Sequence, residues 1–476
     1  MISLSRLALV LALTGCVKTG LTRPAPLPEP LAAHAFHLPK TETRTLSNGL
    51  KVVVATNTEV PLWQMGLLVD VGGYADPDAE IGLSAATFAM LNKGAAGLTA
   101  GQIDQEFRKL GGSFSASSEV DGAYIGVQGL SSNLEPTLDL WAKVLLQPDF
   151  PKDEWEILRD NWKADLAVKR DDPSTLASRG LARVQYGTHY RGRFGSEETY
   201  DALSPEKLRG FYQAHVGPKS AVLLVGGNLT ADQIIPLLEA RLSGWKSDAA
   251  APPKPKVEVL PAQPKNLYVI DKPGASQSVV RIFSASARPT EPGYHASYLA
   301  NEAFGGSFTG RVNLNLREDK GYTYGARCFF QTQMGPSLWY CSTNVQAEVT
   351  GKALVELQKE IRGALGEKPL TAEEIVRYRD SEIRAFPSSF ETTGGILDGE
   401  TMVRRYGLTD TWLEDYIPAL SSVDATQANE AFRARIQEQN LNWLVVGDFA
   451  RIQADLEPLG FNIIMLDRNG NPMGSK

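Results

Sequence analysis

The run Leu316-Arg317-Glu318-Asp319-Lys320-Gly321-Tyr322-Thr323-Tyr324-Gly325 sets a guanidinium and a phenol close together in the chain. A guanidinium presents a planar fork of donors to a carbonyl or carboxylate oxygen. A phenol can donate to an oxygen on which negative charge develops. Metal chemistry has less to work with, because the 476 residues include five histidines, His34, His37, His189, His215 and His295. A zinc site built on one helix needs two imidazoles a turn apart and a carboxylate to complete the set. His34 and His37 have roughly that spacing but sit in a proline-rich N-terminal region. There is no Gly-x-Ser-x-Gly elbow and no phosphate-binding glycine loop. Cys328 and Cys341 lie on two apolar-aromatic segments, Ala326–Thr332 and Leu338–Thr343, either side of Met334-Gly335-Pro336-Ser337. A hairpin would bring them roughly opposite each other with the register left open, either as a disulfide in an oxidising compartment or as two buried thiols.

The elements around these residues read as two similar series. In the first, strands are predicted at 50–55, 63–71, 111–116, 122–130 and 221–226. Helices are predicted at 81–94, closed by Gly94, and at 99–110, 134–146, 152–170, 174–185, 204–214 and 230–243. The stretch 246–265, with Ala249-Ala250-Ala251-Pro252-Pro253-Lys254-Pro255-Lys256, has no apolar period and reads as an extended linker. The series then resumes with strands at 266–272 and 279–286 and helices at 293–303 and 311–318. The hairpin follows, then helices at 349–365, 371–384 and 424–436 and a strand at 441–447. Two halves with the same order of elements predict an internal duplication in the α+β class, each half an antiparallel-rich sheet with helices packed on it. The halves are 41–245 and 266–476.

The first predicted helix carries a resemblance. Ile81-Gly82-Leu83-Ser84-Ala85-Ala86-Thr87-Phe88-Ala89-Met90-Leu91-Asn92-Lys93-Gly94 resembles the signature helix of the M16 (pitrilysin-like, inverted zincin) metallopeptidases. That helix runs from Gly-Leu-x through His-x-x-Glu-His to Met-Leu-x-Lys-Gly. Here Ala85, Phe88 and Ala89 stand where the family has histidine, glutamate and histidine. The family's third ligand falls at Asp165, in Trp162-Lys163-Ala164-Asp165, just before Asp171-Asp172-Pro173. An imidazole pair would hold zinc and the glutamate would act as general base on its water. With those three positions apolar, the resemblance implies neither bound metal nor hydrolysis by this chain, and Asp165 reads as a solvated helix residue.

Further stretches are similar to the family. Gln147-Pro148-Asp149-Phe150 is like its x-Pro-x-Phe, and Tyr186-Gly187-Thr188-His189-Tyr190-Arg191-Gly192-Arg193 resembles its Tyr-Gly-x-His-Pro-Tyr-Gly run without the proline, so that His189 reads as a structural or loop residue. Gly305-Gly306-Ser307-Phe308-Thr309-Gly310-Arg311 resembles its Gly-Gly-x-x-x-Ser-Arg-Leu run, with Gly310 and Val312 in place of serine and leucine. Leu316 to Gly325 is similar to its Leu-Arg-Glu-x-x-Gly-x-x-Tyr segment. The resemblance implies that Arg317 and Tyr324 bind a substrate backbone beside a zinc ion. Since the family assembles four modules and this chain has two, it also implies a zinc-containing M16 partner subunit and a peptide substrate. The expected function is the non-catalytic, substrate-binding subunit of a heterodimeric zinc peptidase. The alternative is a catalytically dead scaffold or peptide-binding protein in an envelope complex.

Composition sets outer bounds. Hydrophobic content of 43% and charged content of 22% suit a folded globular chain, and a net charge of −7 argues against a nucleic-acid-binding face. Met1 to Arg6 is a short positive start, Leu7 to Leu13 is apolar, and Leu13-Thr14-Gly15-Cys16 looks like a bacterial lipobox. Residues 1–16 are therefore expected to be a lipoprotein signal ending at a lipidated Cys16. Residues 17–40 are expected to tether the protein to the periplasmic face of a Gram-negative outer membrane.

Overall fold

The computed structural model describes residues 36–474. Cys16, the signal segment and the tether up to residue 35 lie outside the described residues.

In chain order the first module runs β1 (Thr41–Thr45), β2 (Lys51–Thr56), β3 (Leu62–Val69), α1 (Leu83–Ala89), β4 (Gly94–Ala95), β5 (Leu98–Thr99), α2 (Ala100–Lys109), β6 (Ser113–Ser118), β7 (Ala123–Leu130), α3 (Leu134–Leu146), α4 (Lys152–Lys169), α5 (Pro173–Tyr186), α6 (Glu197–Asp201), α7 (Pro205–His215), β8 (Ala221–Gly227) and α8 (Ala231–Leu242). The second continues with β9 (Asn266–Asp271), β10 (Gln277–Ser286), α9 (Tyr294–Asn301), α10 (Arg311–Asn313), β11 (Thr323–Gln331), β12 (Ser337–Gln346), α11 (Thr350–Leu365), α12 (Ala372–Ala385), α13 (Thr393–Tyr406), α14 (Trp412–Ser421), α15 (Ala425–Arg435), β13 (Asn442–Gly447), α16 (Phe449–Leu456) and β14 (Asn462–Leu466). The sheets are ordered β1-β2-β8-β3-β7-β6 and β11-β12-β10-β13-β9-β14. Read from opposite ends, the five strands β2-β8-β3-β7-β6 correspond to β9-β13-β10-β12-β11. The parallel pairs β2–β8 and β9–β13 occupy equivalent places. The duplication is thus visible in the backbone, and the modules differ in one edge strand. The first takes it from before β2, antiparallel, and the second from the C-terminus, parallel to β9.

Several central strands are apolar without alternation, and the packing explains why. In β13 the side chains of Trp443 and Val445 join the core of their own module, while Leu444 and Val446 face Leu176 and Ala177 of α5. In β2, Val52 and Val54 enter the first core, while Val53 meets Leu224 and Leu397 of α13. Each module therefore covers its own sheet on one face and lends a helix to the outer face of the other. A strand buried on both faces must be apolar throughout. Gly180 in α5 marks how close the approach is, since a Cβ there would lie 3.0 Å from Leu444 Cδ2. Burying Leu176 and Leu397 in this way is worth about 1.5–3 kcal/mol each.

One expected element needs correction and others are completed by the structure. The helix predicted at 81–94 ends at Ala89, and Gly94 is a strand residue paired with Thr99, not a helix cap. Its role is close packing, since a Cβ there would come 2.6 Å from Pro151 Cγ. The 387–422 region, unassigned from sequence, contains α13 and α14. The end of the expected tether is also held in place: Phe36 packs edge-on against Phe386 and tilted against Phe390, with ring centroids 5.3 Å apart in both cases. The 246–265 stretch has no regular secondary structure but is fastened, with Tyr74 donating to the carbonyl of Pro252 (3.0 Å) and the Leu260 amide to that of Gln185 (2.9 Å). No helix among the described residues is long and apolar enough to cross a membrane.

Candidate functional site

Helix α1 is held at its N-terminus by the buried Asp76 carboxylate, which accepts from the amides of Gly82 (2.9 Å) and Ser84 (2.8 Å). Burial pushes Asp76 above the usual carboxylate range in spite of those two bonds. Phe88 is completely buried in the first core. Ala85 and Ala89 are partly buried and end at a methyl group. Asp165 lies on the exposed side of α4, paired with Lys169 one turn on at 2.8 Å. Three apolar side chains and one solvated carboxylate give zinc no donor set. Among the described residues no group of three His, Cys, Asp or Glu side chains could hold a metal ion. His189 and His215 approach the linker carbonyls of Lys256 (3.2 Å) and Ala250 (3.0 Å). His295 is packed against Trp412 and Tyr416.

The structure brings Arg317 and Tyr324 to one end of the second sheet. Arg317 lies in a π-helical turn, Leu314–Asp319. Its guanidinium stacks on the Phe308 ring, 4.5 Å from the centroid, and its Nε is 3.2 Å from Glu318. The chain then turns at Gly321 and enters β11. Between Thr323 and Ala326 the register to β12 shifts by a bulge. Bulges re-aim the side chain they carry, and here Tyr324 is left 91% exposed. The bulge is fixed from below. The buried Asn313 accepts from the Ala326 amide (3.0 Å) and donates to the Phe308 carbonyl (2.7 Å). The Thr343 hydroxyl lies 3.0 Å from both the Thr323 hydroxyl and the Gly325 carbonyl, within hydrogen-bonding reach of each. Arg327 adds a second guanidinium to the Phe308 ring (5.8 Å) and donates to the Gly306 carbonyl (2.7 Å). Arg317 and Phe308 are thus stacked on each other, and Tyr324 stands exposed on the bulge that follows in the chain. Arg311, from the same sequence run, serves the scaffold instead. It forms a largely buried two-point pair with Glu374, at 2.7 and 2.6 Å. Cys328 and Cys341 are register partners on β11 and β12, buried and joined as a disulfide.

Behind Arg327 lies a group that sequence reasoning missed. Burial, with Glu382 adding to it and Arg327 opposing it, pushes Glu302 up to about 7. Glu382 is raised too, chiefly by burial. The partners come from helices far apart in sequence, so no local pattern announces them. The consequence for stability has a definite sign. An unfolded glutamate titrates near 4.5, so between about pH 4.5 and 7 the folded chain holds a proton that the unfolded chain has lost. Stability should fall as pH rises through that window, by roughly 3 kcal/mol at most, and stay level above it. Glu302→Gln should remove most of that fall when urea unfolding is compared at pH 5 and pH 8. An unchanged slope would assign the effect elsewhere.

Comparison with known proteins identifies the family. Residues 51–190 match the family model described as insulinase (peptidase family M16), and residues 202–382 match the model for the peptidase M16 inactive domain. The chain is 26% identical over 285 residues to an uncharacterized zinc protease of Mycobacterium leprae, across 59% of this chain and 63% of that one. A similar protein of Streptomyces coelicolor is 22% identical, with 62% of its length covered. The chain thus spans a little under two thirds of these relatives. Among solved structures, a peptidase M16 inactive domain from Pseudomonas fluorescens superposes with a TM-score of 0.79 at 23% identity, across 86% of this chain and 98% of that one. A protease from Helicobacter pylori gives 0.77 at 17%, across 86% and 100%. At these identities the structural likeness speaks for the fold.

Proposed function

Because the chain belongs to the M16 peptidase family, we propose that it is the non-catalytic, substrate-binding subunit of a heterodimeric zinc peptidase. Arg317 and Tyr324 would act on peptide held at the zinc of an M16 partner. The observation that carries this reading is the contrast between the two modules. The ligand positions of the first hold Ala85, Phe88 and Ala89, with Phe88 fully buried, while Tyr324 of the second stands 91% exposed on a braced bulge. An exposed phenol can donate to an oxyanion formed across an interface. Arg317 can grip the neighbouring carbonyl.

The test is reconstitution. The purified chain, a candidate M16 subunit with His-x-x-Glu-His intact, and their mixture are assayed for peptide cleavage and for bound zinc. The expected result is cleavage in the mixture far above either chain alone, with zinc only in the partner. Stoichiometric zinc and cleavage in this chain alone would sink the proposal. A stable, inactive complex would favour the scaffold role. The proposal includes lipid attachment at Cys16 and residence on the periplasmic side of an outer membrane. Palmitate labelling that survives Cys16→Ala would remove that part.

A further inference from the structure

The strand registers of the second sheet show which residues share its outer face, the one turned away from the module's own core. In β10, Val280 and Ile282 enter that core, while Val279 and Phe283 face outward, and alternation puts Arg281 on their side. Arg281 pairs with Ser342 of β12, and Ser342 pairs with Arg327 of β11. On the adjoining row Val279 pairs with Asn344. The bulge sets both Tyr324 and Gly325 opposite Asn344, because Thr323 pairs with Val345 and Ala326 with Thr343. Val345 and Ala326 lie in the core, so Tyr324 is turned to the outer face with Asn344. Arg281 and Tyr324 thus stand on the same side of the sheet, two strands and one row apart. Ordinary strand spacing and rise make that a Cα separation of roughly 12 Å. Helix α5 covers this face over β9, β13 and β10. Toward β11 the face is open, with Asn344, Phe329 and Tyr324 exposed.

Arg281 has no evident partner in the fold. Its hydrogen bond runs from Nη1 to the carbonyl of its own neighbour, Val280 (3.2 Å). The titratable group that bears on it is the Tyr340 phenol, and no carboxylate among the described residues does. Burial pulls its pKa below the usual arginine value, as expected of a cation partly taken out of water without compensation. Other arginines of the module are committed. Arg327 donates to the Gly306 carbonyl, and Arg311 is paired with Glu374.

We propose that Arg281 binds a carboxylate of the polypeptide held at Tyr324, either its C-terminal carboxylate or an aspartate or glutamate side chain. This rests on the reading of the chain as a peptide-binding subunit and adds the chemical group that the subunit selects.

The argument joins charge to placement. A half-buried guanidinium offers a planar fork that a carboxylate can meet with two parallel hydrogen bonds, and charge-assisted bonds of this kind are the strong ones. A carboxylate would supply the compensation that the fold does not. A neutral side chain would leave the charge unpaired, and a basic one would oppose it. An extended polypeptide advances about 3.3 Å per residue, so a span of roughly 12 Å places the carboxylate three or four residues from the group that meets Tyr324.

The test uses the full chain in detergent, without a partner subunit, at neutral pH. Three fluorescent heptapeptides of one sequence are titrated by anisotropy: a C-terminal amide with glutamine at the centre, the same peptide with a free C-terminal carboxylate, and the amide with glutamate at the centre. At least one carboxylate peptide should bind about tenfold more tightly than the neutral one, and which one does so identifies the source of the carboxylate. Arg281→Met keeps the stem and removes the charge. In it the advantage should fall below about threefold while the neutral peptide binds as before, with no drop in the urea midpoint. Equal affinities for the three peptides, no binding of any, or an advantage that survives Arg281→Met would overturn the proposal. So would an advantage lost only together with a lowered urea midpoint, which would make Arg281 a structural residue. The reconstitution assay tests the partner and its zinc, and these titrations contain neither, so each can fail without the other.

Discussion

Tyr324→Phe should lower kcat of the reconstituted peptidase by about 10²- to 10³-fold, the range seen when one donor to a developing oxyanion is removed. The stability of the chain should change by no more than about 0.5 kcal/mol. Both halves of that expectation follow from the bulge at Thr323–Ala326. It turns Tyr324 out of the sheet, so the ring packs on almost nothing and removing one oxygen costs the fold little. Asn313 and Thr343 hold the backbone on either side, so the phenylalanine ring occupies the same place. A loss confined to kcat with KM nearly constant would mean that the hydroxyl acts in the transition state and not in peptide binding. Arg317→Ala should behave differently. On the proposed reading its guanidinium would meet a carbonyl present in the bound substrate as well, so KM should rise along with the fall in kcat. A complex whose turnover ignores both substitutions would refute the assignment of this pair.

The residues of this pair were legible in the sequence, since Arg317 and Tyr324 lie in one short run. The exposure of Tyr324 was not, since it depends on a bulge set by Asn313 and Thr343, neither of which carries a local signal. The hairpin could be read from Gly335-Pro336 between two aromatic strands, and the register that faces Cys328 with Cys341 came only with the fold. The exchanged helices left a trace that can be understood only afterwards. Continuous apolar runs in β2 and β13 mean burial on both faces, but nothing local says that α13 and α5 supply the second cover. Helix α13 itself was hidden by Thr393-Gly394-Gly395 at its start and Gly399 within it, residues that lower helix propensity. Phe390 packs where Gly399 lacks a side chain, with a Cβ there coming 2.7 Å from its ring.

The other large effect should come from a residue remote from the chemistry. Asp121 sits in the turn between β6 and β7 and is 12% exposed. Arg191, 8% exposed, sits in the loop after α5. One nitrogen of Arg191 donates to both oxygens of Asp121 and to the carbonyl of Met334 (2.9 Å), and the Met334 amide donates to Asp121 (3.2 Å). Met334 is at the tip of the β11–β12 hairpin, where Gln333 also accepts from Tyr186 (2.9 Å). The first module therefore grips the far end of the hairpin whose near end carries Tyr324. Asp121→Ala leaves the Arg191 charge buried with one carbonyl for company, and the expected loss is about 3–5 kcal/mol in urea unfolding. The exposed pair Arg405–Glu119 nearby should contribute less than about 1 kcal/mol. Arg191→Met in the Asp121→Ala background should recover much of the loss, because the unpaired charge is then gone. Amide exchange separates a local from a global effect. If the pair holds the hairpin, protection in Asp121→Ala should drop first at β12 residues 337–341 and leave β13 protected. Uniform loss across both sheets would mean instead that the pair supports the whole interface between modules, and Tyr324 would then be placed by that interface as a unit.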